Sequence, residues 1–234
     1  MRILRWTWRL RCARLRPSNP LSSVMHSTLP TEPRNHCRFI AVTGGSGSGK
    51  SWLAAALCNW LGGEAAHLAL DDFYHDLGHL PPAARDTVNF DDPAAIDWEA
   101  LSEVLSHLER GVVARLPIYD FASHTRYQET RLMPQTRFIV LDGLWLLHHA
   151  WLRDKLALSV FVDCPVAERL RRRVARDVQD RGRSPVSVQR QFAEHVQPMH
   201  ELFVEPQRCW ATYCVTSPLT EQAQADLFAA CLAT

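Results

Sequence analysis

Eight consecutive residues near the start of the chain have the types and the spacing needed to hold phosphate groups. The segment GGSGSGKS, residues 44–51, matches the pattern G-x-x-x-x-G-K-[ST] in full. Its glycines let backbone N–H groups turn toward phosphate oxygens, and the start of the following helix favours negative charge. Lys50 then reaches the β- and γ-phosphates, while the Ser51 hydroxyl binds Mg²⁺. The expected nucleotide-binding residues are Gly44, Gly45, Ser46, Gly47, Ser48, Gly49, Lys50 and Ser51.

The residues on both sides of this loop support the same interpretation. Phe39–Thr43 is an apolar, β-branched run typical of a buried strand, and Ser51–Leu61 is typical of a helix that Gly62 ends. The alternative is a glycine-rich turn with an incidental lysine. The chain has 24 arginines but only two lysines, Lys50 and Lys155, so a basic position without a specific task would almost always be arginine. Composition therefore favours the nucleotide site.

Acidic residues follow several of the other apolar runs. The run HLAL ends at Asp71 and Asp72, FIVL ends at Asp142, and LALSVFV ends at Asp163, while ATYCVT reads as a last short strand. Strands that alternate with helices predict a parallel sheet covered on both faces, with ligands bound outside the carboxyl ends of the strands. We therefore expect the loop and these carboxylates to lie at one edge of the sheet.

Helical patterns separate the strands. Residues 98–108 carry an apolar stripe that Asp97 can cap, and the basic segment VAERLRRRVARDVQDRG predicts a second helix. A further helix is expected over Val186–Phe203 with a kink at Pro198, and LTEQAQADLFAACL predicts a closing helix.

Composition limits the kinds of protein this chain can be. Its 234 residues suit one domain with a small appendage, 47% are hydrophobic, and no run approaches the length of a membrane span. Residues 1–36 carry seven arginines and one acid, whereas the remainder carries 19 basic and 24 acidic residues. The mildly acidic remainder argues against a nucleic-acid-binding surface.

The first 36 residues predict a basic, disordered extension ahead of a domain at 37–234. Alternatives are a targeting segment, an arm that binds membrane or RNA, or an untranslated stretch upstream of a start at Met25. The seven cysteines contain no C-x-x-C pair or metal-ligand spacing, which predicts free thiols in a reducing compartment, the cytoplasm.

A phosphate-binding loop alone leaves an NTP hydrolase, a nucleotide switch and a kinase open. A guanine-specific switch would carry N-K-x-D, and neither lysine lies in such a motif. A kinase needs a carboxylate that activates the acceptor hydroxyl beside the γ-phosphate. Asp71 is well placed for that task, although it could also simply cap a turn.

Several segments resemble those of the uridine/cytidine kinases in order and spacing, over about residues 39–210. They are GGSGSGKS, LDDFY, NFDDP, PIYDFASHTR, RDVQDRGRS and FVEPQR. PIYDFASHTR is the most specific, because relatives such as phosphoribulokinase and nicotinamide riboside kinase share the phosphate loop but usually lack it. The resemblance implies an α/β P-loop sandwich with a five-stranded parallel sheet flanked by helices, and a mobile Arg-rich lid.

The same resemblance implies ATP-dependent, Mg²⁺-dependent phosphorylation of uridine or cytidine at the ribose 5′-hydroxyl. It implies small-molecule partners, with neither nucleic acid nor membrane, and a homo-oligomer. A kinase for another ribosyl substrate, such as nicotinamide riboside or a sugar phosphate, stays open. So does a P-loop ATPase or a regulatory nucleotide-binding module.

Site residues follow from the resemblance position by position. Asp71 resembles the general base, with Lys50 and Arg176 at the transferring phosphoryl, and Ser51 and Asp142 at the metal. Asp91 would bind the ribose hydroxyls, since a carboxylate accepts two neighbouring O–H groups well. Phe90 and Phe121 would wall the pyrimidine, and Tyr119 and His124 would bind its edge, although each could instead be core or surface. The remaining nucleoside positions are Arg183 and Gln191.

The basic helix could be a solvated face, but it resembles the family's lid, in which Arg173, Arg176 and Arg181 face phosphate oxygens. Arg171 and Arg172 are expected on the surface. Three residues depart from the family pattern. Asp142 stands where glutamate is usual, Asp92 replaces a histidine, and Thr212 replaces an aspartate near the adenine.

Overall fold

The computed structural model of the chain describes residues 37–85 and 87–234, which lie within one compact unit. The extension expected over residues 1–36 falls outside these ranges, so the division into extension and domain stays a prediction. Within the described ranges, every helix is too short or too polar to cross a membrane.

The predicted five-stranded parallel sheet is confirmed. Its strand order is β2-β7-β1-β8-β9, and each neighbouring pair runs parallel. The central position of the first strand explains why Phe39, Ile40, Ala41 and Val42 are all buried, on both faces. The strands are β1 Arg38–Gly44, β2 Ala65–Ala69, β3 Ala114–Leu116, β4 Tyr119–Asp120, β5 Thr125–Arg126, β6 Arg131–Met133, β7 Phe138–Gly143, β8 Leu156–Asp163 and β9 Tyr213–Thr216.

Helices cover both faces of this sheet. The N-cap predicted at Asp97 is confirmed, because its carboxylate accepts a hydrogen bond from the Ala100 N–H at 3.0 Å. The helices are α1 Lys50–Leu61, α2 Pro82–Arg85, α3 Trp98–Glu109, α4 Ala150–Arg153, α5 Val166–Arg181, α6 Pro185–Gln191, α7 Gln197–Met199 and α8 Glu221–Ala233.

Alternate residues of each strand enter different cores. Val42 and Val140 pack on Leu53 and Leu57 of α1, on the face that α8 also covers. The opposite neighbours Ala41 and Leu141 join Leu101, Leu105 and Trp145 beneath α3. Packing on both faces thus holds the sheet rigidly, including the edge at which its strands end.

Local expectations had different outcomes. β2 ends at Ala69, and Leu70–Phe73 form a 3₁₀ turn, so Asp71 lies in that turn and not at the end of the strand. The helix expected over 186–203 is confirmed as a continuous run of helical residues, in which π-helical turns at Phe192–Val196 and His200–Val204 lie on either side of α7. Two small antiparallel pairs, β3 with β6 and β4 with β5, had no prediction because strands of two or three residues show no usable period.

Candidate active site

The phosphate loop connects β1 to α1 and packs against β8 and α5. A side chain at Gly44 would come within 2.6 Å of the Val162 carbonyl oxygen, and one at Gly47 would collide with the backbone of Arg169. Gly47 and Gly49 have φ of 81° and 98°, which glycine adopts at no steric cost. The loop therefore needs its glycines for close approach as well as for its turns.

Lys50 is the first residue of α1, so its ammonium group stands at the positive end of that helix. Ser51 follows it, and its hydroxyl donates a hydrogen bond to Asp142 Oδ2 at the carboxyl end of β7. Asp142 Oδ1 lies 2.7 Å from His67 Nε2. Burial alone would raise the pKa of Asp142, but the His67 hydrogen bond and the Lys50 charge hold it below its ordinary value.

Ser51 and Asp142 have the donor atoms that Mg²⁺ prefers. Both supply hard oxygen donors and already touch each other, although the acid is shorter than the usual glutamate. In the described ranges no cluster of three His, Cys, Asp or Glu residues could hold a metal. The arrangement fits Mg²⁺, which usually takes one or two protein ligands together with phosphate oxygens and water.

One cavity beside the loop collects most of the sequence-predicted site residues. Asp71 shares this cavity with Lys50 and four arginines. Burial raises the pKa of Asp71, while the charges of Lys50, Arg181 and Arg176 oppose that rise. The predicted residues that line the cavity are Ser46, Lys50, Asp71, Phe90, Asp91, Tyr119, Phe121, His124, Arg173, Arg176, Arg181, Arg183 and Gln191.

Aromatic rings form another part of the cavity wall, and the Arg181 guanidinium lies 5.8 Å from the Phe121 ring. The Phe90 ring stacks on His124 at 4.2 Å, and Phe121 meets Tyr119 edge-on at 5.2 Å. The Tyr119 hydroxyl faces His124 Nδ1 at 3.5 Å, across the short β4–β5 hairpin. Sequence analysis assigned no role to Tyr74, whose buried ring touches both Phe90 and Tyr119 and whose hydroxyl donates to the Phe90 carbonyl at 3.0 Å.

Asp91, the residue predicted to bind the ribose hydroxyls, lines the same cavity as these rings and the lid arginines. The backbone N–H of Asp91 donates to Asn89 Oδ1 at 3.1 Å, which fixes the turn that presents it. Burial raises the pKa of Asp91, and the nearby charge of Arg173 works against that rise. A half-buried carboxylate here could accept hydrogen bonds from neighbouring hydroxyl groups.

The lid arginines are organised by a carboxylate that sequence analysis missed. Asp177 is fully buried, and its oxygens lie 3.5, 2.8 and 3.8 Å from the Nε atoms of Arg173, Arg176 and Arg181. Arg173 also donates to Ser46 Oγ at 2.8 Å, which ties the lid to the phosphate loop. The spacing of one acid with arginines four before, one before and four after it on a helix was the available signal.

Gln191 links the same arginines to the nucleoside side of the cavity. Its Oε1 accepts hydrogen bonds from Arg173 at 3.1 Å and from Arg183 at 2.7 Å. The mobility expected of this segment stays a prediction.

Two arginines of α5 make contacts that sequence analysis did not predict. Arg172, expected on the surface, donates to the Ser48 carbonyl at 3.2 Å and to Ser217 Oγ at 2.9 Å. Arg169 is not part of a solvated face, because it is buried against the Phe192 ring and donates to Gln197 Oε1 at 2.7 Å. Arg171 is exposed, as expected, and pairs with Glu168 on the helix surface.

Comparison with known proteins decides the family. Residues 39–221 match the model of the Phosphoribulokinase / Uridine kinase family. The chain belongs to this family. It is 38% identical over 192 residues to the uridine kinase of Deinococcus deserti, covering 82% of this chain and 93% of that one. It is 39% identical over 190 residues to the uridine kinase of Escherichia coli K12, covering 79% and 89% of the two chains.

The fold is also shared with a solved kinase from Silicibacter sp. TM1040, at a TM-score of 0.64 and 22% identity over 79% of this chain and 91% of that one. Family membership makes this chain a phosphotransferase and confirms the resemblance seen in the motifs.

Two of its departures from the family pattern have local structural roles. The Asp92 carboxylate caps the turn Pro93–Ala95 by accepting from the Ala94 N–H at 2.8 Å. Thr212 links β8 to the segment before β9, since its N–H donates to Ser159 Oγ at 3.0 Å. Both residues satisfy hydrogen bonds outside the cavity lining.

Proposed function

We propose that this chain transfers the γ-phosphoryl group of ATP to the 5′-hydroxyl of uridine or cytidine, giving UMP or CMP. The observation that carries the proposal is one cavity with two kinds of lining. Asp71 and Lys50 line it together with Tyr119 and His124. Uridine kinase relatives at 38–39% identity support the same acceptor class.

Asp71 is the general base of the proposed reaction. Its carboxylate takes the proton of the 5′-hydroxyl as that oxygen bonds to the γ-phosphorus and the bond from phosphorus to the β–γ bridging oxygen breaks. ADP leaves with the electron pair of that bond. Lys50, Arg173, Arg176 and Arg181 stabilise the negative charge on the phosphate oxygens through charge-assisted hydrogen bonds.

Ser51 and Asp142 would hold Mg²⁺, which would neutralise part of the negative charge of the phosphate groups. The nucleoside is held by its sugar and its base. Asp91 accepts hydrogen bonds from the ribose hydroxyls, which favours ribose over deoxyribose. Phe90 and Phe121 enclose the pyrimidine, and Tyr119 and His124 pair with its polar edge, with Arg183 and Gln191 closing the site. We also propose that the protein is located in the cytoplasm and that it forms a homo-oligomer.

The test is a coupled assay of ADP formation with uridine, cytidine, adenosine, guanosine and nicotinamide riboside as acceptors. We expect kcat/KM for both pyrimidine nucleosides to exceed that for the purines by about 10²-fold, because a purine would not make the hydrogen bonds that Tyr119 and His124 make to the edge of a pyrimidine. A higher value for nicotinamide riboside would indicate the other ribosyl substrate. ADP formation that no nucleoside increases would indicate an ATPase or a regulatory module.

A further inference from the structure

A histidine that the proposed reaction does not use lies in the corner between β2, β7 and α1. His67 is level with Val140 in the sheet, and Ala69 is level with Asp142. Val140 and Asp142 are two residues apart and therefore share a face, the one on which Leu53 and Leu57 of α1 pack. The His67 Nε2 atom reaches along this face to 2.7 Å from Asp142 Oδ1.

The hydrogen bonds to Asp142 assign one oxygen to each partner. Oδ1 faces His67, and Oδ2 accepts from the Ser51 hydroxyl. An ionised carboxylate has no proton to give, so the proton of the first contact must be on His67 Nε2. The side chain of Asp142 is 7% exposed and that of His67 is 39% exposed, so the imidazole stands at the outer edge of the corner.

We propose that His67 is a positioning residue for the divalent cation: its Nε2–H holds Asp142 Oδ1 so that Oδ2 is presented beside Ser51. When the Ser51 oxygen turns its lone pair toward a cation, its hydroxyl can no longer donate in the same direction, and His67 keeps the carboxylate plane fixed. An outer partner of this kind orients a metal ligand and commonly changes metal affinity 10- to 100-fold. The inference rests on the proposed function only in taking the cation as the one carried by ATP.

The short side chain of Asp142 makes such an anchor more important. The carboxylate of aspartate reaches about one carbon–carbon bond less far than that of glutamate, the acid usual at this position, so a small rotation moves its oxygen away from Ser51. His67 supplies the donor from a neighbouring strand, whose backbone is fixed by the sheet.

The test measures Mn²⁺ binding to the protein with a non-hydrolysable ATP analogue, by the electron paramagnetic resonance signal of free Mn²⁺. We expect His67→Val to weaken Mn²⁺ binding about 10-fold, and His67→Gln to stay within about threefold of wild type because its amide N–H can donate to the same oxygen. His107→Gln, which removes an exposed imidazole from α3, is the matched control and should change nothing. Affinity for the metal-free analogue should be equal in all four proteins.

A second arm separates positioning from general damage. In an Asp142→Asn background, His67→Val should cause no additional loss of Mn²⁺ affinity, because the group through which it acts is gone. An affinity within twofold of wild type for His67→Val, or an equal loss in the Asp142→Asn background, overturns the proposal. Absence of uridine phosphorylation by wild type would instead overturn the proposed function, and the Mn²⁺ comparison would still decide the role of His67.

Discussion

The two walls of the cavity are built in different ways. The phosphate wall consists of the loop between the central strand β1 and the helix α1, and of arginines from α5, of which Arg173 donates a hydrogen bond to that loop. The nucleoside wall consists of aromatic side chains from turns and from a hairpin with two residues per strand. Phosphate recognition thus uses backbone N–H groups and arginine side chains, whereas base recognition uses a few aromatic rings and the polar atoms of Tyr119 and His124.

This difference has a consequence for how each wall responds to substitution. The phosphate wall shares its contacts among many donors, so losing one weakens it without abolishing it. Proton abstraction instead depends on the one carboxylate of Asp71, and base selection depends on Tyr119 and His124. The expected effects below follow that order.

The largest effect is expected at the base itself. Asp71→Asn should lower kcat by about 10²-fold or more, because the amide cannot accept the proton of the hydroxyl, while KM for ATP stays within a few-fold. In wild type, kcat should fall with decreasing pH above the ordinary range of a carboxyl group, since burial raises the pKa of Asp71 and only the ionised form is active. Stopped-flow and steady-state kinetics measure both.

The neighbouring Asp72→Asn is the control, because Asp72 faces Arg131 at the surface. A kcat for Asp71→Asn within fivefold of wild type would mean that another group is the base.

The second effect concerns base selection. Tyr119→Phe with His124→Ala should reduce the preference for uridine over adenosine by about 10²-fold, since each unpaired polar group costs about 1–3 kcal/mol. KM for ATP should not change, because Lys50 and the loop are untouched. Ratios of kcat/KM for the two nucleosides give the answer, with Tyr127→Phe as a control that removes an exposed hydroxyl. A double variant as selective as wild type would assign base recognition to other residues.

A third effect tests the support behind the phosphate loop. Burial, with the charge of Arg169, lowers the pKa of His200 to about 4, and its ring lies against Gly45. Below pH 6.5 His200 becomes protonated in the unfolded chain but stays neutral in the folded protein. The free energy of unfolding therefore falls as the pH falls toward 4. At pH 5 the loss is about 2 kcal/mol relative to neutral pH, at ~1.4 kcal/mol per unit.

His200→Phe should remove this loss, as urea unfolding at pH 7.5 and pH 5 would measure. His107→Phe, at an exposed site on α3, should leave the pH dependence of wild type intact. An unchanged slope in His200→Phe would show that the buried imidazole does not titrate on unfolding.

The smallest effect is expected at Arg172. Arg172→Met removes the hydrogen bonds to Ser48 and Ser217 and should raise KM for ATP about fivefold, the value of roughly 1 kcal/mol. Arg171→Met, one residue earlier and exposed, should leave KM unchanged. Equal KM values for the two variants would show that Arg172, like Arg171, does not contribute to ATP binding.

Much of the fold could be predicted because each buried strand of the sheet is visible in its own short stretch of sequence. Buried strands such as FIAVT and FIVL are continuous apolar runs, and the phosphate loop is recognisable from spacing alone. The burial of Arg169 could not be predicted, since its partner Gln197 lies 28 residues away on a different helix. Tyr74 was missed as a support for the aromatic wall because its contacts come from turns without periodicity.

The buried carboxylate of Asp177 has a consequence for the order of events on binding. Three long guanidinium side chains with many rotamers are gathered around it, so part of their conformational entropy is lost during folding. The cluster keeps a net charge of about +2, because a single acid offsets three bases. An incoming polyphosphate therefore meets arginines that Asp177 has oriented and whose mutual repulsion it has reduced.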